Sequence, residues 1–193
     1  GKGGAPFQGD VAVKDGRIAA VGKVAETGAE EIDATGLALM PGIIDSHTHF
    51  DAQITWDPGC TPSPELGVTS VLIGNCGFTI APCREPDRDL IMKNLVQVEG
   101  MSLDVLRGGI KWDFETFPQY LDMLEAQGSV MNVGAFLGHS SIRTYVMGAA
   151  ATERAANDDE ISEMADLVRA GMKAGAVGFA TSTAPQHNGW GGI

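Results

Sequence analysis

The stretch PGIIDSHTHFD, residues 41–51, sets two of the chain's four histidines two positions apart, directly after a short apolar run. GIID reads as a short strand ending at the histidines. Residues i and i+2 of a strand point to the same side, so His47 and His49 are expected to present both imidazoles to one ion. Neutral imidazole is the commonest protein ligand for zinc-like ions. The carboxyl end of a parallel strand is also where α/β folds place their sites. The competing reading is two polar residues at a strand exit, hydrogen-bonded or solvated, and the spacing alone leaves both open.

The pattern on either side of Pro41 differs. Before it, DVAVKDGRIAAVG alternates apolar and other residues around Asp15-Gly16, a strong hairpin signal. EEIDATGLALM then reads as a short strand, a turn at Gly36 and another strand. Residues 1–40 are expected to form a small β layer.

After Pro41, apolar runs alternate with helical patterns. GVTSVLIGNC is β-branched and almost wholly apolar, as a buried parallel strand is. PDRDLIMKNLVQV and TFPQYLDMLEAQG read as helices, the second with Thr116 as N-cap and Gly128 as stop. VMNVGAFLGH is the third strand candidate. NDDEISEMADLVRAGMKAG is the clearest helix, with Asn157 and Glu160 placed for a capping box and Gly175 at its end. AVGFATS is the fourth strand.

Strand–helix alternation indicates an α/β fold with a parallel sheet. It halts after the fourth strand, whereas a closed βα barrel needs eight strands and about 250 residues. Residues 41–193 therefore read as the first half of a longer protein, with an open four-stranded sheet as the alternative.

A net charge of −12 repels phosphate backbones and argues against nucleic-acid binding. No apolar run approaches the ~20 residues a membrane span needs. The odd count of three cysteines is no disulfide framework. Cys60 and Cys83 read as reduced thiols of a cytoplasmic protein. Acidity does not choose between the remaining partners, and these features set no oligomeric state.

LALMPGIIDSHTHFD resembles the strand-one signature of the amidohydrolase superfamily: an apolar segment, Pro-Gly, an apolar pair, Asp, then His-x-His. The match narrows with HTHFDAQITWDP, GVTSVLIGNCGFTIAPCR, DRDL, VEGM, FLGHSSIR and GAVGFATS. Together they resemble the N-acyl-D-amino-acid deacylase (D-aminoacylase) family over nearly the whole chain. The resemblance implies a metal-dependent (β/α)₈ TIM barrel, of which residues 41–193 hold the first four βα units, preceded in residues 1–40 by part of a small β-sandwich.

The resemblance alone implies a small-molecule substrate, and with it one or two zinc ions. His47 and His49 would bind one metal position, and Cys76 would bind or bridge the tighter one. Many related enzymes bridge their metals with a modified lysine on strand four, and AVGFATS offers none. Taken alone, a cysteine ending an apolar strand reads as a small buried hydrophobe. Thiolate is nonetheless a strong zinc ligand, and a nearby dication lowers the thiol pKa. Two further histidine ligands and a general-base aspartate are implied beyond Ile193, so the catalytic residues are not in this chain and it would not catalyse alone.

His187, in the glycine-rich APQHNGWGG, is the candidate substrate contact. The familiar D-aminoacylases carry a tyrosine near this place, and STAPQHN has none. His139 and Arg143 are weaker candidates, better read as packing and solvated groups. Asp45, Asp51 and Asp57 surround the histidines, and any one could orient an imidazole. Glu99 reads as a helix-terminal residue.

The implied reaction is zinc-dependent hydrolysis of an N-acyl-D-amino acid to a carboxylate and a D-amino acid. Two alternatives stay open: a cyclic amidase acting on hydantoins or dihydropyrimidines, and a non-catalytic truncated homologue.

Overall fold

The computed structural model describes residues 3–190. The chain divides into two compact units, Gly1–Pro41 and Gly42–Ile193.

In the first unit, β1 (Asp10–Lys14) and β2 (Arg17–Gly22) pair antiparallel. Asp15 (φ 51°) and Gly16 (φ 70°) both adopt the left-handed conformation. A two-residue turn of that kind matches the twist of the strands it joins, and Asp-Gly reaches it at low cost. The strands expected on either side of Gly36 do not form. Gly36 does make a turn, with Leu37 N donating to Ala34 O at 2.9 Å. A strand exists only by pairing, and among the described residues β1 and β2 pair only with each other. Ile32, Leu37 and Leu39 are accordingly exposed.

The second unit is built on four parallel strands in the order β3 (Ile43–Asp45), β4 (Val68–Ile73), β5 (Asn132–Gly138), β6 (Gly178–Ala180). That sequential order is the order of strands around half of an eight-stranded βα barrel. Between β4 and β5 lie α1 (Arg88–Glu99), α2 (Leu103–Gly109) and α3 (Phe117–Gln127). Between β5 and β6 lie α4 (His139–Met147) and α5 (Asp158–Ala174). The first crossover has no α-helix, only 3₁₀ turns at Gln53–Thr55 and Ser63–Leu66.

The capping boxes form as the sequence predicts. Thr116 accepts from Gln119 N, and Asn157 accepts from Glu160 N, with the reciprocal bonds present. Helices α2 and α4 were not expected. Gly108-Gly109 in α2, and Ile142, Thr144 and Val146 in α4, lower local helix propensity. Tertiary burial overrides it, through Leu106 and Ile142, each 1% exposed.

The core forms on the central strands, with Val71, Ile73, Ala135 and Leu137 buried together with Ile91 and Leu95 of α1. Gly171 lets α5 lie close to the sheet, since a Cβ there would stand 2.6 Å from Leu137 Cδ1. Because all four strands run one way, the segments that follow them collect on one rim.

Candidate metal centre

His47, His49 and Cys76 come together on that rim. Each offers one ligand atom, and these atoms all lie within 4.8 Å of one another. His47 Nε2 stands 3.4 Å from Cys76 Sγ. The histidine pair lies just past β3 rather than inside it. Its alternation is preserved by Thr48, which is buried while its neighbours are more open. Thr48 N and Oγ1 both donate to Leu72 O, at 3.1 and 2.8 Å. The β3–β4 pairing is thereby carried past the strand end, and the two imidazoles stay on one side.

The GNCG turn after β4 needs its glycines. Gly74 and Gly77 have φ of +84° and +85°. A Cβ on Gly74 would lie 2.6 Å from Phe136 O, and one on Gly77 would lie 3.0 Å from Ala180 O. The turn is thus seated directly against β5 and β6. Cys76 is itself left-handed at φ 58°. An L-residue there costs roughly 1–2 kcal/mol, and such strain persists where the surroundings hold it.

Those surroundings are a set of cross-braces. Asn75 Nδ2 donates to Thr48 O (3.1 Å) and Leu72 O (2.9 Å). Gly74 N donates to Asp51 Oδ2 at 3.0 Å, and Tyr120 OH donates to Asp51 O at 2.9 Å. The histidine loop and the cysteine turn are therefore one bonded piece.

Electrostatics follow from burial. Desolvation, with help from His47 and His187, holds His49 below its usual pKa, the direction that favours the neutral form a ligand needs. Desolvation raises the Cys76 thiol, and Glu99 adds to it. Asp51 is pushed up to about 7 by burial, against the opposing bond from Gly74 N.

His49 Nδ1 is buried without an aligned hydrogen bond. Glu99 Oε1 lies 3.2 Å away, within ion-pair distance but off the N–H direction. Two imidazoles and a thiol held in a strained turn suit a zinc-like ion.

The other candidates fall elsewhere. His187 Nδ1 is 2.8 Å from Ser182 Oγ and its ring meets Phe78 edge-on. It stands outside the three-residue cluster, yet its charge reaches His49 and Glu99. His139 begins α4, with Nδ1 3.1 Å from Thr181 Oγ1. Arg143 gives its guanidinium to Ala151 O and Arg154 O. The three aspartates serve the backbone. Asp45 accepts from His47 N, Asp51 from Gly74 N, and Asp57 from Gly59 N and Thr61 N.

Glu99 is the residue that sequence reasoning passed over as a helix end. The available signal was its placement, since a carboxylate at a helix C-terminus opposes the macrodipole. Cys60 and Cys83 are free and buried, with thiols pushed up to about 11 and about 12 by desolvation. No helix among the described residues is long and apolar enough to cross a membrane.

Residues 30–188 match the amidohydrolase family. The chain is 40% identical over 184 residues to an N-acyl-D-aspartate deacylase of Alcaligenes xylosoxydans xylosoxydans, covering 95% of this chain and 34% of that protein. It superposes on a D-aminoacylase with a binuclear metal center at a TM-score of 0.76 and 35% identity, covering 95% of this chain and 36% of that one. It also superposes on an N-acyl-D-glutamate deacylase of Bordetella bronchiseptica complexed with zinc and a phosphonate inhibitor, at 0.69 and 33% identity, covering 92% and 35%. The chain spans about a third of the length of the curated relatives it matches. The described parallel sheet is the half-barrel of their fold. The chain belongs to the amidohydrolase family.

Proposed function

We propose that the protein carrying this chain hydrolyses the linear amide of N-acyl-D-amino acids, releasing a carboxylate and a D-amino acid, with zinc, one ion or two, at His47, His49 and Cys76. The observation that carries this reading is the convergence of the three donors within 4.8 Å at the carboxyl rim of the sheet. The relatives' activities and metal centres support it.

An ion held there supplies Lewis acidity toward an amide carbonyl and makes water a nucleophile at neutral pH. The chain's own residues do the rest. His47 and His49 would offer their imidazoles from one side of the loop. Cys76 would give up its proton on binding, which would couple metal uptake to proton release. The braces through Thr48, Asp51 and Asn75 hold the donors in place beforehand, which leaves little ordering to be done on binding. His187, whose Nδ1 lies 2.8 Å from Ser182 Oγ, is assigned to substrate contact. A linear amide is favoured over a cyclic one because Thr181 and Ser182, not a lysine, follow β6. Two buried free thiols support a cytoplasmic setting.

The test is turnover of N-acetyl-D- and N-acetyl-L-amino acids by the whole protein, before and after chelation. D-specific release, lost on chelation and restored by zinc, is expected. Preference for L-substrates, or turnover indifferent to chelation, would contradict the proposal.

A further inference from the structure

Glu99 occupies a place that its own helix does not explain. It is the last residue of α1, whose last turn carries no basic residue. A carboxylate there faces the negative end of the helix dipole. Gly100, at φ +67°, ends the helix at this point, and its N–H is taken by Val96 O. The nearest lysine of the helix, Lys93, pairs with Asp89 instead.

What Glu99 does meet is His49. Its Oε1 is 3.2 Å from His49 Nδ1, and the two side chains are only 14% and 19% exposed. That nitrogen is the buried one without an aligned partner. The aspartates nearer in sequence are engaged with backbone N–H groups. Glu99 also stands outside the group of three mutually close donor atoms.

We propose that Glu99 is a positioning residue of the metal centre: its carboxylate accepts the Nδ1–H of His49, fixing the tautomer that leaves Nε2 free for the ion. This rests on the metal-centre reading above. The distance is already that of a hydrogen bond. A carboxylate behind a ligating histidine raises the basicity of the ring and sets its orientation.

The experiment is Co(II) binding to the whole protein and to its Glu99→Ala and Glu99→Gln variants. Affinity is read by competition with a chelator, and Cys76 ligation by the thiolate-to-cobalt charge-transfer band. Glu99→Ala is expected to weaken Co(II) binding by roughly 10- to 100-fold, with the band intact at saturation. Glu99→Gln keeps an acceptor oxygen and loses the charge, so its affinity should fall between. Should the alanine variant fail to fold, the glutamine variant decides. Affinities within twofold of wild type in the variants that fold would overturn the assignment, and so would a lowered melting temperature of the metal-free protein with unchanged affinity. A wild-type protein that shows no thiolate band would overturn the metal-centre reading itself, and Glu99 with it. A wild-type band with unaltered variants overturns Glu99 alone.

Discussion

The carboxyl rim of the sheet holds two pairs of histidines and treats them in opposite ways. Beyond β5 and β6, His139 and His187 each have a hydroxyl partner, Thr181 and Ser182. Beyond β3 and β4, His47 is set against a thiol, and His49 has a buried nitrogen with no aligned bond. The backbone differs in the same sense. β5 runs directly into α4, whereas β4 ends in a left-handed turn at Gly74, Cys76 and Gly77. The His47–His49 pair stands beside a thiol in a strained turn, a donor set that suits an ion.

Cys76 is where this contrast breaks most visibly. Cys76→Ala should cost the protein its tight metal, an effect larger than the roughly 100-fold that follows loss of a supporting contact. Metal analysis after dialysis checks it. Cys76→Gly should lose the metal equally while relieving the turn. Its metal-free form is expected to be about 1 kcal/mol more stable to denaturant than that of Cys76→Ala, because glycine accepts φ near +58° without penalty. Equal stabilities would mean that the turn stores no strain.

His187 sharpens the other side. His187→Asn should leave metal content unchanged and raise KM by about fivefold, the loss of one ordinary hydrogen bond. Loss of metal in that variant would move His187 into the metal-binding group and erase the contrast.

The smallest effect lies at the start of α5. Glu160 is held down to about 2, first by Arg154 and then by Asn157 N–H. Its folded pKa is below the ordinary 4.5, so its stabilisation is present above that value and lost as pH falls toward 2. Glu160→Gln should melt slightly below wild type at pH 7, with the difference gone near pH 2. A difference that persists in acid would refute the linkage. This surface pair is exposed, and the effect is correspondingly modest.

What the sequence disclosed follows the range of the forces involved. The Asp15-Gly16 hairpin, both capping boxes and the four parallel strands rest on neighbours a few residues apart, and each was legible. The nearness of His47 and His49 was legible from strand alternation, whereas Cys76, read alone as a small buried hydrophobe, was singled out only by the family resemblance. Glu99 was not legible. It meets His49 across fifty positions, and nothing in VEGM announces that contact. The strands expected around Gly36 failed for the same reason in reverse. Their alternation is local, but a strand needs a partner, and that is a property of the tertiary structure. Helices α2 and α4 went unseen because burial of Leu106 and Ile142, not local propensity, holds them.

The central claim is that His47, His49 and Cys76 hold one metal centre. An anomalous-difference map at the zinc edge, from crystals of the whole protein grown with zinc, tests it most directly. The account predicts a peak about 2.0–2.1 Å from a nitrogen of each histidine it binds and about 2.3 Å from Cys76 Sγ. A map with zinc bound elsewhere, and the three side chains contacting only one another, would contradict it.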